Sequence, residues 1–253
     1  MILDLPDELF LSIVEYLDSQ KDLNAFSQTN VRLQRLLNPL LYRRNAQRHA
    51  GSALAWASRL GHSATTRKAI QGGACVNMET AHYGFPCRPL HLSTKLGFKM
   101  ITSMLLAEEA IDPNPLDHYG NTPLHYAVRE ADCDIIKLLL MSKKLDINKS
   151  DLFGMSPLIR ASCMGLADVA TLLLAAPGVD VNYCDKFGRT ALIYASMAGS
   201  EPIVKLLLGF GGLNVHAEDC QGLNSLAHAA AEGHHSLTAL LSKAMVMRGR
   251  PNS

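Results

Sequence analysis

The sequence predicts an all-α protein, a three-helix N-terminal module joined to a solenoid of about six helix-turn-helix units. Three observations predict it. A leucine recurs at Leu54, Leu90, Leu124, Leu158, Leu192 and Leu226, in steps of 36, 34, 34, 34 and 34 residues. Other residue types recur in register around it. The first fifty residues break that period and instead carry Leu5, Leu9, Ile13 and Leu17 at a strict four-residue spacing, the stripe of an amphipathic helix.

The N-terminal module is expected over residues 1–45. Pro6 and Asp7 suit the first turn of its first helix, and Ile2, Phe10 and Val14 widen the apolar stripe. A second helix begins near Lys21-Asp22. A third, Val31 to Tyr42, carries Leu33, Leu36, Leu37 and Leu40. Only Arg43 to Ser52 separates this module from the repeats, so a stiff connection is expected. The basic cluster Arg43, Arg44 and Arg48 reads as a solvated helix face.

The repeats are expected over residues 51–243, with units starting near 52, 88, 122, 156, 190 and 224, followed by a C-terminal tail over 244–253 in which Arg248 to Ser253 read as frayed. Two places before each leucine stand Ser52, Arg88, Thr122, Ser156, Thr190 and Asn224. All but Arg88 can cap a helix, because a side-chain oxygen accepts from an otherwise unpaired amide. Proline follows at 89, 123 and 157, where its missing N–H costs nothing. Small residues three places after the leucine (Ala57, Ser93, Ala127, Ala161, Ala195, Ala229) let helices approach closely. Seven places after it, Gly61, Gly97, Gly165, Gly199 and Gly233 end the first helix in the left-handed region. Ala131 stands there in the third unit and predicts strain.

A second helix follows, marked by Met104-Leu105-Leu106, Leu138-Leu139-Leu140, Leu172-Leu173-Leu174, Leu206-Leu207-Leu208 and Leu240-Leu241, with a weaker Ala69-Ile70 in the first unit. Asn77, Asn114, Asn148 and Asn182 close four units, and His216 stands where the next asparagine is expected. Asp117, Asp151, Asp185 and Asp219 each precede a glycine by three residues, a pattern that suits a tight turn. One unit cannot bury its own apolar face, so stability comes from stacking neighbours. Ser236, Thr238, Ser242 and Lys243 give the last outer helix the polar dressing of a terminal cap.

The Thr-Pro-Leu-His block at 122–125, the terminal glycine, the leucine triplet and the closing asparagine together resemble the ankyrin repeat, over about residues 51 to 243. A two-residue insertion near 84–88, the missing cap at Arg88 and His216 are its local departures. The Leu5-Pro6 start, Asp7-Glu8-Leu9, Ile13, Leu17, Asp22-Leu23 and Leu40-Leu41-Tyr42 resemble an F-box; Leu33 departs from it, near where many F-boxes carry tryptophan. The order of modules looks like the F-box/ankyrin proteins common in filamentous fungi.

The resemblance implies a substrate-recognition subunit of a cullin-RING ubiquitin ligase. An F-box binds a Skp-family adaptor and through it a cullin. Its adaptor contacts carry over to Leu5, Pro6, Leu9, Ile13, Leu17 and Leu23. Ankyrin stacks hold partners with turn tips and inner groove, which fall here on Tyr119, Arg129, Phe153, Met155, Met164, Phe187, Arg189 and Met197, with Lys95 at the equivalent groove position one unit earlier. The apolar members form a soft patch for a hydrophobic segment; alternatively, Tyr119, Phe153 and Phe187 pack on adjacent tips, while Met164 and Met197 are expected to be exposed. The competing functional reading is an ankyrin scaffold or inhibitor with no ubiquitin role, its N-terminal helices only capping the stack.

Composition frames these expectations. The chain has 253 residues, 48% hydrophobic and 19% charged, with a net charge of +1 and so no footprint for nucleic acid. No apolar run approaches the roughly 20 residues that span a bilayer, and Met1 leads almost directly into patterned sequence without signal-peptide architecture. The six cysteines are scattered without zinc spacing, which predicts reduced thiols and a cytoplasmic or nuclear location. No catalytic, cofactor or metal site is expected, no small-molecule substrate, and a monomer outside the complex. His91 and His125 are expected to tie neighbouring turns, and Gly209, Gly211 and Gly212 lack the ending of a phosphate loop.

Overall fold

The computed structural model describes residues 52–82 and 85–249. The N-terminal module, with the expected adaptor contacts Leu5, Pro6, Leu9, Ile13, Leu17 and Leu23, lies outside the described residues, as do residues 250–253.

Each repeat folds as two antiparallel helices. The first unit is α1 (Ser52–Leu60) and α2 (Ser63–Gln71). A two-stranded antiparallel hairpin follows, β1 (Thr80–His82) and β2 (Phe85–Cys87), pairing Thr80 with Cys87 and His82 with Phe85. It accommodates the two residues by which the first leucine step exceeds the others. Then come α3 (Pro89–Lys95) and α4 (Lys99–Leu106), α5 (Pro123–Arg129) and α6 (Cys133–Leu140), and α7 (Pro157–Cys163) and α8 (Ala167–Ala175). The stack closes with α9 (Ala191–Met197) and α10 (Glu201–Gly209), and α11 (Ser225–Ala231) and α12 (His235–Arg248). Odd-numbered helices pack on one another as an inner layer and even-numbered ones as an outer layer. The fold is all-α, with that single hairpin among the described residues.

The repeated sequence positions explain the packing. Leu54, Leu90, Leu124, Leu158 and Leu192 are buried, and so are Ala57, Ser93, Ala127, Ala161, Ala195 and Ala229 between successive inner helices. Leu226 is only half-buried, and no further unit packs on it among the described residues. Of each leucine triplet the middle member (Leu105, Leu139, Leu173, Leu207) is fully buried, while its neighbours are half-buried. Thr122, Ser156, Thr190 and Asn224 each accept from the amide three residues on. Arg88 offers no side-chain acceptor to the amide three residues on, although His91 Nδ1 accepts the Arg88 N–H at 3.2 Å, as His125 Nδ1 accepts that of Thr122.

Ala131 takes φ +53°, alone among the described non-glycine residues in having positive φ. The turn geometry therefore overrides the side chain, at about 1–2 kcal/mol for an L-residue in this region. At the C-terminal end α12 runs through Arg248, the first residue of the segment expected to fray, and the Arg248 guanidinium donates to Leu213 O at 3.3 Å and to Leu208 O. No helix among the described residues is long and apolar enough to cross a membrane.

Candidate partner-binding face

The turn tips are built from one carboxylate per unit. Asp117 Oδ1 accepts the Tyr119 and Asn121 amides at 2.8 and 2.7 Å, and its Oδ2 accepts the Tyr126 hydroxyl at 2.6 Å. Asp151 repeats this with the Phe153 and Met155 amides and the Arg160 guanidinium. Asp185 does so with Phe187, Arg189 and the Tyr194 hydroxyl, and Asp219 with Gln221, Leu223 and His228 Nε2. The four carboxylates are buried. Burial raises the pKa of Asp117, but hydrogen bonds from Tyr126, Asn121 and Tyr119 outweigh it and hold the acid below its ordinary value. The same balance, with His228 the main donor, brings Asp219 down to about 2. On the donor side, burial followed by the bond to Asp185 pushes the Tyr194 hydroxyl up to about 12.

Adjacent tips are stitched backbone to backbone. Tyr119 O accepts from Leu152 N at 3.1 Å, Phe153 O from Lys186 N at 3.2 Å, and Phe187 O from Cys220 N at 2.8 Å. A Cβ on Gly154 would stand 2.8 Å from Lys186 N, so only glycine admits that approach. His125 adds a second tie: its Nδ1 accepts the Thr122 amide at 3.2 Å, and Nε2 therefore donates to Met155 O at 2.9 Å. Desolvation lowers the pKa of the His125 and His91 rings, which favours these neutral bridging forms.

At the opposite end of each unit the asparagines form a ladder. Asn148 donates to Gly178 O at 2.7 Å and accepts from Asp180 N at 2.8 Å, and Asn77, Asn114 and Asn182 do the same one unit apart. His216 fills the next rung, where its Nε2 lies 2.7 Å from Gly249 O.

This framework leaves a row of aromatic rings outward. Tyr119, Phe153 and Phe187 are 53%, 59% and 54% exposed, and Met164 is 44% exposed. Of the two open readings for the aromatics, exposure prevails, although the Tyr119 ring also leans on His118 at 3.7 Å between centroids. Met197, expected to be exposed, is half-buried, and Met155 is half-buried against the core. Arg129 is exposed, 4.7 Å from the Tyr126 ring centroid and 3.1 Å from Glu130. Arg189 lies 5.7 Å from the Phe187 centroid, with Nε 3.5 Å from Asp219.

A cleft of 120 Å³ opens between two tips, with Tyr119, Tyr126, Arg129, Phe153 and Arg160 in its walls. It thus joins three expected residues of the inner helices and tips, Tyr119, Arg129 and Phe153. Arg160 and Tyr126 were not expected there. The signal that finds them is the nine-residue step from each tip aspartate to its partner on the following helix. Among the described residues no three His, Cys, Asp or Glu side chains gather where they could hold a metal ion.

Comparison with known proteins agrees with this architecture. The family described as ankyrin repeats (3 copies) matches residues 54–151 and 158–248, and the F-box-like family matches residues 2–48. A stretch of 69 residues, 27% of this chain, is 39% identical to Alpha-latrotoxin-Lh1a of Latrodectus hasselti and to Alpha-latrotoxin-Lhe1a of Latrodectus hesperus. That stretch spans only 5% of the length of these curated relatives.

Proposed function

The chain belongs to the ankyrin-repeat family and carries an F-box-like segment, and from that premise we propose that it is the substrate-recognition subunit of a Skp–cullin–F-box ubiquitin ligase. The two modules make it a protein-interaction adaptor, and both are of kinds that typically bind rather than catalyse. In the proposal, Leu5, Pro6, Leu9, Ile13, Leu17 and Leu23 contact the Skp-family adaptor, and the tip-and-groove face holds the target protein. The chain makes no bond itself. It raises the effective concentration of target lysines near a charged ubiquitin-conjugating enzyme.

The observation that carries this reading is the coexistence, in one chain, of the F-box-like match over 2–48 with a stack whose tips are locked by buried aspartates and present exposed rings. A rigid presenting surface is what target capture by proximity needs. The free cysteines, four of them exposed, suit a reducing compartment, so cytoplasm or nucleus is the proposed location.

Affinity purification of the tagged full chain, followed by mass spectrometry, tests the proposal. A Skp-family protein and a cullin should co-purify with wild type and be lost from a Leu5→Ala, Pro6→Ala, Leu9→Ala triple variant, while ankyrin-bound proteins remain. Recovery of ankyrin-bound proteins with no adaptor from wild type would instead favour a scaffold without a ubiquitin role.

A further inference from the structure

We propose that the face formed by Tyr119, Phe153 and Phe187 with the basic side chains beside them takes an acidic segment in polyproline II conformation, with an apolar residue at every third position. This deepens the target-binding reading above and rests on it.

Charge is the first argument. Lys95 and Arg129, one repeat apart, lie 5.6 and 4.7 Å from the Tyr126 ring centroid. Arg160, at the repeat position that Tyr126 holds one unit earlier, lines the cleft with Arg129, and Arg189 lies beside Phe187 at the next tip. Their side chains are 26% and 24% exposed, while the carboxylates they meet, Asp151 and Asp219, are 1% exposed. A partner approaching from solvent therefore meets cations, with the anions beneath them and already saturated by hydrogen bonds. The exposed carboxylates nearest the inner helices and tips, among the described residues, are Glu130, which pairs with Arg129, Glu79 before the hairpin, and Glu218 and Glu232 at the last unit.

Spacing is the second argument. The tips repeat with the stacked inner helices, and packed helices lie about 8–10 Å apart. A polyproline II helix has three residues per turn at about 3.1 Å each, so one face repeats every 9 Å or so, and its residues i, i+3 and i+6 all point the same way. A β-strand fails this match because residues three apart point to opposite faces. An α-helix meets the step only about every seventh residue, at roughly 1.5 Å per residue, and would leave alternate turns without contact. The 120 Å³ cleft between Tyr119 and Phe153 is of a size to take one aliphatic side chain; a cavity of about 150 Å³ accepts a benzene-sized group. With apolar residues on the face turned to the rings, acidic residues fall on the face turned to Lys95, Arg129 and Arg160.

Fluorescence anisotropy on the full chain tests this with three labelled peptides of roughly twelve residues, about four turns. One repeats Glu-Pro-Leu, one repeats Lys-Pro-Leu, and one has the acidic composition with the leucines moved off the three-residue spacing. The acidic, regularly spaced peptide should bind at least about tenfold more tightly than either other, and more weakly as salt rises. A Lys95→Glu, Arg129→Glu variant with unchanged thermal unfolding should lose about tenfold or more of that affinity. Phe153→Ala should lose affinity without changing the salt dependence. Equal binding of the lysine peptide, equal binding of the respaced peptide, or no binding to any of the three overturns the proposal. Adaptor co-purification is independent of all these outcomes, so failure here leaves the ligase reading to its own test.

Discussion

Asp219 Oδ2 accepts from His228 Nε2 at 2.8 Å, and the same nine-residue step joins Asp117 to Tyr126, Asp151 to Arg160 and Asp185 to Tyr194. Three different donor types thus serve one buried carboxylate position. What is constant is the acceptor, which folds the tip by taking two backbone amides; what varies is the side chain that ties the tip to the next inner helix.

Acid titration should expose this lock. The folded-state pKa of Asp219 is depressed from 3.8 to about 2. Its contribution to stability is therefore fully present above about pH 4 and is lost as pH falls through 2. Asp219→Asn should flatten the decline of unfolding free energy between those limits. Denaturant midpoints measured across pH 2 to 5 check it, and a parallel decline in wild type and variant would count against the lock.

Ala131 provides a test of turn strain. With φ +53° and an exposed side chain, it sits where the five other units hold glycine with φ between +67° and +77°. Ala131→Gly should stabilise the stack by up to about 1 kcal/mol, after the greater unfolded-state freedom of glycine is subtracted. Ala131→Val should lower the melting temperature. Both follow from thermal unfolding.

The core prediction is larger. Leu139 and Leu173 are fully buried in the middle of the stack. Leu139→Ala or Leu173→Ala should each cost about 2–5 kcal/mol, by lost transfer energy and a residual cavity. Equilibrium denaturation measures it, and a loss below 1 kcal/mol or so would contradict the packing described.

The asparagine ladder predicts a local effect. Asn148→Ala removes the bonds to Gly178 O and from Asp180 N, both between units. About 1–2 kcal/mol should be lost, with faster hydrogen exchange at the Asp180 amide than at the equivalent Asp112 amide.

Most of the stack was legible in the sequence because each unit repeats the same local physics: a cap at Thr122, a proline at 123, a buried Leu124, a small Ala127. Exposure on the candidate face was less legible. Met155, Met164 and Met197 stand three places before, six after and five after their repeat leucines, and only Met164 is clearly exposed. Arg160 was missed since its partner, Asp151, lies across a turn and a helix start. The two extra residues near 84–88 were visible as a longer step, but their pairing as a hairpin depends on long-range geometry that no periodicity encodes.

Surface substitution separates capture from stability. Phe153→Asp with Met164→Asp changes two exposed side chains and should leave thermal unfolding within about 1 kcal/mol of wild type. Target recovery in pull-downs should nevertheless disappear. An unchanged set of partners would remove these residues from the binding face.

The measurement closest to the central claim is size-exclusion chromatography with light scattering of the full chain mixed with a purified Skp-family adaptor. Wild type should elute as a one-to-one complex, and the Leu5→Ala, Pro6→Ala, Leu9→Ala variant as two separate species with its helical content intact. Separate elution of wild type and adaptor at concentrations well above micromolar would contradict the account and leave a binding stack with no tie to a ligase.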